Sequence, residues 1–195
     1  EAMRRNHVLS IPHQGFGKPE ASTFEIEPYC LKVVKRRWYV VARSPYYSER
    51  NKERGIKPAD VYRVYALDRI SDIQDTGKTF KMKKNFDVNQ YFEGCCGVIT
   101  SDEPIQRIVL LAYGGFADYL RTLPLHESQR EIEGDDESTL FVYHLKPTFD
   151  FYQLVLAQGD QVEVLEPESV RSEMRNFAKN ILDYYTWEED KPCKE

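Results

Sequence analysis

The sequence predicts a small antiparallel β-barrel followed by a smaller α+β domain. In the first half, short runs rich in valine, isoleucine, phenylalanine, tyrosine and tryptophan alternate with period two, which is typical of strands. Short turns join these runs and favour antiparallel neighbours. After about residue 104, strand patterns alternate with helical spacing. A chain of 195 residues has room for two domains of modest size.

The first domain is predicted over residues 5–85 as a series of strands. The runs with strand pattern are 7–14, 22–31, 36–43 and 61–67, with a further short strand within 71–79. Residues 34–36 are predicted to form a tight hairpin. The polar stretch 44–58, bounded by prolines, is interpreted as a long loop inserted between two strands. Successive short strands with hairpin connections indicate a barrel.

A linker with a short helix, capped by Asp87, is predicted over residues 86–104, and a second domain over residues 105–186. The predicted strands of this domain are 105–113, 129–133, 139–145 and 161–165. The predicted helices are 116–123, 149–157 and a long amphipathic helix from Pro167 to about Tyr185. The order β-α-β-β-α-β with a terminal helix indicates a ferredoxin-like, split β-α-β arrangement. The acidic tail, residues 188–192, is predicted to be frayed.

Composition and cysteine spacing exclude several classes of protein. Hydrophobic residues make up 41% of the chain and aromatic residues 13%, which is typical of a globular protein. No apolar run is long enough to span a bilayer, and the charged start lacks a signal-peptide core, so we expect a cytoplasmic protein with no membrane partner. The cysteines at positions 30, 95, 96 and 193 give neither a disulfide framework nor zinc-ligand spacing.

Charge is distributed unevenly along the chain. Residues 1–100 carry 18 lysines and arginines against 12 acidic residues, whereas residues 101–195 carry 9 against 20. The basic half is therefore the half that could bind a polyanion. The alternative is that the two halves attract each other, within one chain or across a dimer.

Two arginines in one strand pattern suggest an anion site. If residues 63–70 alternate as a strand, Arg63 and Arg69 share a face with Tyr65, which favours burial. A buried arginine needs a partner anion, because an unpaired buried charge is costly. That partner is either an internal carboxylate, such as Asp68 or Asp72, or an outside ligand.

Two motifs resemble those of the WYL-domain family, named for its Trp-Tyr-Leu motif. The motifs are Trp38-Tyr39-Val40 and the run of residues 63–70, Arg-Val-Tyr-Ala-Leu-Asp-Arg-Ile. In this family an Sm-like, SH3-type barrel is followed by a C-terminal extension domain, whose closing pattern resembles residues 151–171. The chain departs from the family at Val40, which replaces the leucine, and in the insertion 44–60. We expect Trp38 to anchor the barrel core.

The resemblance implies a regulatory role. Family members are mostly bacterial transcription regulators whose helix-turn-helix lies ahead of a ligand-sensing barrel, with nucleotides or single-stranded nucleic acid as candidate ligands. The strand pattern of this chain starts near His7, so DNA contact is expected through an upstream helix-turn-helix that is absent from this chain. A homodimer is expected from the family.

Five residues form the predicted ligand or nucleic-acid site. Guanidinium groups bind phosphates bidentately and stack on bases, which indicates Arg63 and Arg69, with Arg43 as a further candidate. Tyr39 shares a face with Arg43, and its hydroxyl needs a partner. Tyr65 could stack on a base, although a place in the core is the alternative.

The chain has none of the common catalytic fingerprints, such as G-x-S-x-G or H-E-x-x-H, so no enzymatic activity, cofactor or metal is expected. Two basic clusters, residues 35–37 and 81–84, could follow a phosphate backbone, or could be solvated turns. The alternative function is a protein–protein interaction or oligomerisation module without a small ligand, in which the arginines pair internally.

Overall fold

The computed structural model describes residues 1–135 and 137–186, so the acidic tail that was predicted to be frayed lies outside the described residues. The chain divides into two compact units, the first over Glu1–Tyr91 and the second from Phe92 onwards. Within the described residues, no helix is both long enough and apolar enough to cross a membrane.

The first unit is built on a five-stranded antiparallel sheet. Its elements are α1 (Ala2–Arg5), β1 (His7–His13), β2 (Ser22–Val34), β3 (Arg37–Arg43), α2 (Pro45–Glu53), β4 (Tyr62–Ala66), a 3₁₀ helix (Leu67–Arg69), β5 (Gln74–Thr79) and α3 (Val88–Tyr91). The strand order is β4-β3-β2-β1-β5. Among the described residues β4 and β5 do not pair, so the sheet is open and the predicted closed barrel is not confirmed.

The connection between β2 and β3 confirms the predicted tight hairpin. Lys35 and Arg36 both have positive φ, 49° and 65°, as in the two-residue turns that match strand twist. A break in register between Pro28 and Cys30 lets the 13-residue strand β2 bend, so that it pairs with both β1 and β3.

Two predictions about the insertion and the following strand were wrong. The stretch 44–58 contains helix α2, where the Ser44 hydroxyl accepts a hydrogen bond from the Tyr47 amide (3.5 Å) and Pro45 occupies the first turn. Strand β4 ends at Ala66, and a 3₁₀ helix follows. The alternation therefore breaks before Arg69, which does not share the strand face of Arg63.

The prediction that Trp38 anchors the core was also wrong. The Trp38 residue is 53% exposed, whereas Val40 and Ala42, on the same face of β3, are buried. The core of the unit is formed by a cluster of small and aliphatic side chains with one tyrosine: Ile11, Ile26, Val40, Ala42 and Tyr65. The burial of Tyr65 means that the alternative given for it, a place in the core, is the one observed.

The second unit is an antiparallel four-stranded sheet with helices. Its elements are β6 (Gln106–Tyr113), α4 (Phe116–Thr122), β7 (Arg130–Gly134), β8 (Ser138–Leu145), α5 (Phe149–Leu156), β9 (Val162–Glu166) and α6 (Glu168–Tyr185), with strand order β7-β8-β6-β9. The predicted element order is confirmed, while the ferredoxin-like assignment stays a prediction. Helices α4 and α5 contribute Leu120, Phe151 and Val155 to a core that also contains Leu110 and Phe141 from the sheet.

Candidate functional site: a cationic cleft beside an exposed aromatic ring

A cleft of about 360 Å³ opens in the first unit, between the loop after β1 and the 3₁₀ helix. Its lining is mostly polar or glycine, and several of its side chains are charged. The lining residues are Gln14, Gly15, Phe16, Gly17, Lys18, Ala21, Asp68, Arg69, Ile70 and Ser71.

Backbone hydrogen bonds hold the two walls of the cleft together. The Gln14 amide donates to the Arg69 carbonyl at 3.0 Å, and the Ser71 amide donates to the Pro12 carbonyl at 3.3 Å. In the facing loop, the Lys18 amide donates to the Gly15 carbonyl at 3.1 Å, and Gly17 has a φ of 69°, which glycine adopts without strain. The tight loop turns the side chain between the two glycines outward.

That side chain is Phe16, which is 78% exposed. The guanidinium carbon of Arg69 lies 4.0 Å from the ring centroid, and that of Arg37 lies 5.8 Å from it. Both distances fall within the range of cation–π attraction. The arrangement places two positive charges around one solvent-exposed aromatic surface.

Arg69 has no acidic partner in the described part of the chain. Its Nε donates to the Gln14 carbonyl at 2.8 Å, and no carboxylate lies within ion-pair distance among residues 1–135 and 137–186. Its charge also acts on His13, whose pKa is lowered by burial and then by Arg69. Arg69 therefore presents to the cleft a positive charge that forms no salt bridge within the described residues, although after Arg37 it also lowers the pKa of the neighbouring Asp68.

Arg37, in contrast, is neutralised by Asp68. The Nε of Arg37 donates to Oδ1 of Asp68 at 2.9 Å, and Nη2 lies 2.7 Å from Oδ2, a two-point contact typical of arginine and carboxylate. The hydrogen bond from Arg37 lowers the pKa of Asp68 below its ordinary value. The guanidinium carbon of Arg37 also lies 5.8 Å from the ring centroid of Tyr39, which places that tyrosine at the margin of the site.

Models of known domain families match both halves of the chain. The family model of the WYL domain matches residues 1–75, and that of the WCX domain matches residues 104–182. The chain therefore contains a WYL domain followed by a WCX domain. The cleft, with Phe16, Asp68 and Arg69, lies entirely within the WYL match, and so does the neighbouring Arg37.

Two solved structures resemble the chain. One is the proteasome accessory factor B/C (PafBC) of Arthrobacter aurescens, at 17% identity and a TM-score of 0.37, covering 100% of this chain and 27% of that one. The other is a CRISPR Cas-related protein, at 12% identity and a TM-score of 0.51, covering 94% of this chain and 48% of that one. The chain thus spans about a quarter and about half of their lengths. No curated protein sequence matches it.

The structure separates the five residues predicted for the site. Arg69 lines the cleft and Tyr39 lies at its margin. Arg63 projects from β4 into a different environment, where its guanidinium carbon lies 3.8 Å from the ring centroid of Tyr47 in α2. The expectation of a site shared by Arg63 and Arg69 was wrong, because the strand ends between them.

The other two predicted residues have internal roles in the WYL domain. Arg43 donates from Nε to Asp60 at 2.6 Å and from Nη1 to both oxygens of Glu27 at 3.1 Å, and its side chain is only 15% exposed. Tyr65 is 4% exposed, and burial raises the pKa of its hydroxyl. Both side chains are engaged in contacts within the domain, so neither is available to a ligand.

Sequence reasoning missed Phe16 and assigned Arg37 only to a basic cluster. The signal for Phe16 was present in Gly15-Phe16-Gly17-Lys18, since an aromatic residue between two glycines in a turn cannot readily be buried. The contact between this loop and Arg69 joins residues more than 50 positions apart, so local pattern could not show it. In the described ranges no group of three or more His, Cys, Asp or Glu side chains is arranged to hold a metal ion.

Proposed function

We propose that this chain is the ligand-sensing region of a bacterial transcription regulator and that its WYL unit binds a nucleotide or single-stranded nucleic acid. In this proposal residues 5–85 form the sensor, a barrel of the Sm-like type, and residues 105–186 form the extension domain, joined by the linker 86–104. The region acts in the cytoplasm and has no catalytic role. The ligand occupies the cleft around Phe16 and Arg69, with Tyr39 at the margin.

The observation that carries the proposal is the exposed Phe16 ring beside the guanidinium of Arg69, which forms no salt bridge with any described residue. An exposed ring stacks on an unpaired base, which contributes about 1–3 kcal/mol per base in single-strand binding proteins. The arginine supplies the phosphate contact. A base within a duplex is already stacked on both faces, so the arrangement favours single strands.

Regulation requires that the ligand prefer one of two states of the protein. We propose that the extension unit relays occupancy of the cleft through a homodimer and onward to an upstream helix-turn-helix. Binding can regulate only if its affinity differs between two dimer arrangements. This step rests on the family resemblance rather than on a contact in the structure.

Fluorescence anisotropy with labelled oligothymidylate, titrated at several salt concentrations, tests the proposal. We expect Arg69→Ala and Phe16→Ala each to weaken binding about tenfold or more, with a hairpin duplex as a weaker competitor than the single strand. The salt slope should decrease in Arg69→Ala, because one phosphate contact is lost. Arg63→Ala is the matched control, since it removes an exposed arginine outside the cleft. Equal affinities of all four proteins would reject the proposed site.

A second candidate function is a protein–protein interaction module without a small ligand. It is favoured by an apolar groove of about 670 Å³ between α6 and β9, where Ile181, Leu182 and Tyr185 remain exposed. Under this alternative a thermal-shift series with nucleotides gives no concentration-dependent shift. The proposed sensor should give one, because a ligand that binds only the folded state raises its stability.

A further inference from the structure

Two arginines of unequal availability lie near the Phe16 ring: Arg69, which lines the cleft, and Arg37, which lies beside it. Arg69 has no carboxylate partner among the described residues, whereas Arg37 contacts Asp68 at 2.7 and 2.9 Å. The guanidinium carbons of both arginines lie within 6 Å of the Phe16 ring centroid. A ligand stacked on Phe16 therefore lies near two arginines. Arg69 forms no salt bridge among the described residues, whereas Arg37 is already paired with Asp68.

The Arg37–Asp68 pair is open to exchange. The Asp68 side chain is 56% exposed and that of Arg37 is 33% exposed, so water reaches both. Ion pairs of this kind contribute little to stability, because solvent screens them and both side chains lose freedom. A phosphate that reaches Arg37 can replace the carboxylate and form the same two-point contact.

We propose that Asp68 is a built-in competitor that occupies Arg37 until a phosphate of the ligand displaces it. This inference rests on the proposed function of the same cleft and adds a requirement on the ligand. A single phosphate binds first at Arg69, where nothing has to be displaced. A ligand binds Arg37 as well only if it carries a second phosphate that can reach this arginine. The cleft therefore favours an oligonucleotide over a nucleoside monophosphate.

The test is a comparison of Asp68→Asn with Asp72→Asn in the full chain, using labelled oligothymidylate and, as competitor, thymidine monophosphate. Both substitutions remove one negative charge, but Asp72 does not line the cleft and instead accepts a hydrogen bond from Gln74. We expect Asp68→Asn to strengthen oligonucleotide binding about fivefold at low salt, the factor that corresponds to one unit charge a few ångströms away in water. Asp72→Asn should change affinity less than twofold.

A double-mutant cycle identifies Arg37 as the group that Asp68 occupies. The gain from Asp68→Asn should be smaller in an Arg37→Ala background, because the part that comes from releasing Arg37 is lost and only the direct effect of the Asp68 charge on the ligand and on Arg69 remains. Thymidine monophosphate should compete better for the Asp68→Asn protein than for the wild type. The ratio of oligonucleotide affinity to monophosphate affinity should therefore be smaller in this variant. A far-ultraviolet circular dichroism spectrum and a thermal melting curve show whether each variant is folded.

The outcomes separate this inference from the function on which it rests. If Arg69→Ala and Phe16→Ala leave binding unchanged, the cleft is not the ligand site. If those two variants weaken binding but Asp68→Asn behaves like Asp72→Asn, or binds more weakly than the wild type, Asp68 is not a competitor. A gain that is as large without Arg37 as with it likewise overturns the inference.

Discussion

Arg43 and Arg69 lie in the same unit and were assigned to one ligand site on the same chemical grounds, but their surroundings are opposite. Arg43 is mostly buried between the carboxylates of Glu27 and Asp60. Arg69 stacks on an exposed ring and, within the described part of the chain, donates to a backbone carbonyl. The comparison shows that a guanidinium group held between partly buried carboxylates serves the fold, whereas one that forms no salt bridge among the described residues stays available to a ligand.

The largest effect is expected on stability when Arg43 is replaced. Arg43→Met leaves Glu27 without its cation and Asp60 with only Lys83, at 3.9 Å, so we expect a loss of about 2 kcal/mol in the free energy of unfolding, less than for a fully buried pair. Urea unfolding measures it. Arg36→Met, at an exposed turn, is the control and should be nearly neutral. If the two variants are equally stable, the Arg43 cluster is not structural.

Arg69→Ala should give the opposite pattern. We expect a tenfold loss of oligonucleotide affinity, about 1.4 kcal/mol, with a change in unfolding free energy of about 0.5 kcal/mol. The Arg43→Met protein, measured at a temperature at which it is folded, should bind with unchanged affinity. Fluorescence anisotropy measures the affinity, and urea unfolding measures the stability, of the same preparations of both variants. Parallel losses of stability and affinity in both variants would remove the distinction between the two arginines.

Arg63 provides an intermediate case. Its guanidinium stacks on Tyr47 at the surface, and such exposed cation–π contacts contribute about 0.5–1 kcal/mol. Arg63→Ala should lower the unfolding free energy by no more than that and leave ligand affinity unchanged. A double-mutant cycle with Tyr47→Leu measures the contact, and a coupling energy of zero would show that the stacking does not stabilise the fold.

The smallest effect concerns His13. Burial and the charge of Arg69 lower its pKa, so the folded state binds fewer protons than the unfolded state. The stability that follows is present above the ordinary histidine pKa of about 6.5 and is lost as the pH falls below that value. In Arg69→Ala the pKa of His13 should rise, because one of its two causes is removed. An NMR titration of the His13 ring measures this pKa. An unchanged pKa would show that the charge of Arg69 does not act on His13.

Much of the fold was predictable because strands and turns depend on local pattern. The strand β6, for example, was predicted to within one residue at each end, and the turn at Lys35–Arg36 was placed correctly. Helix α2 was missed although Ser44-Pro45 is a typical helix start, since its polar composition resembles that of a loop. Trp38 was misplaced because residue type indicates a tendency to be buried but not how far along a strand the covering side chains extend.

The sequence alone determined the strand pattern, the two successive units and the arginine-rich character of the WYL domain. These follow from the alternation of side chains along an extended backbone and from residue chemistry, both of which are local. Only the tertiary structure decided which arginine meets an acid. Arg43 reaches carboxylates 16 and 17 positions away, and Arg69 reaches a carbonyl 55 positions away. Strand register and loop packing set such contacts, and they determine whether a charge stabilises the fold or remains free to bind.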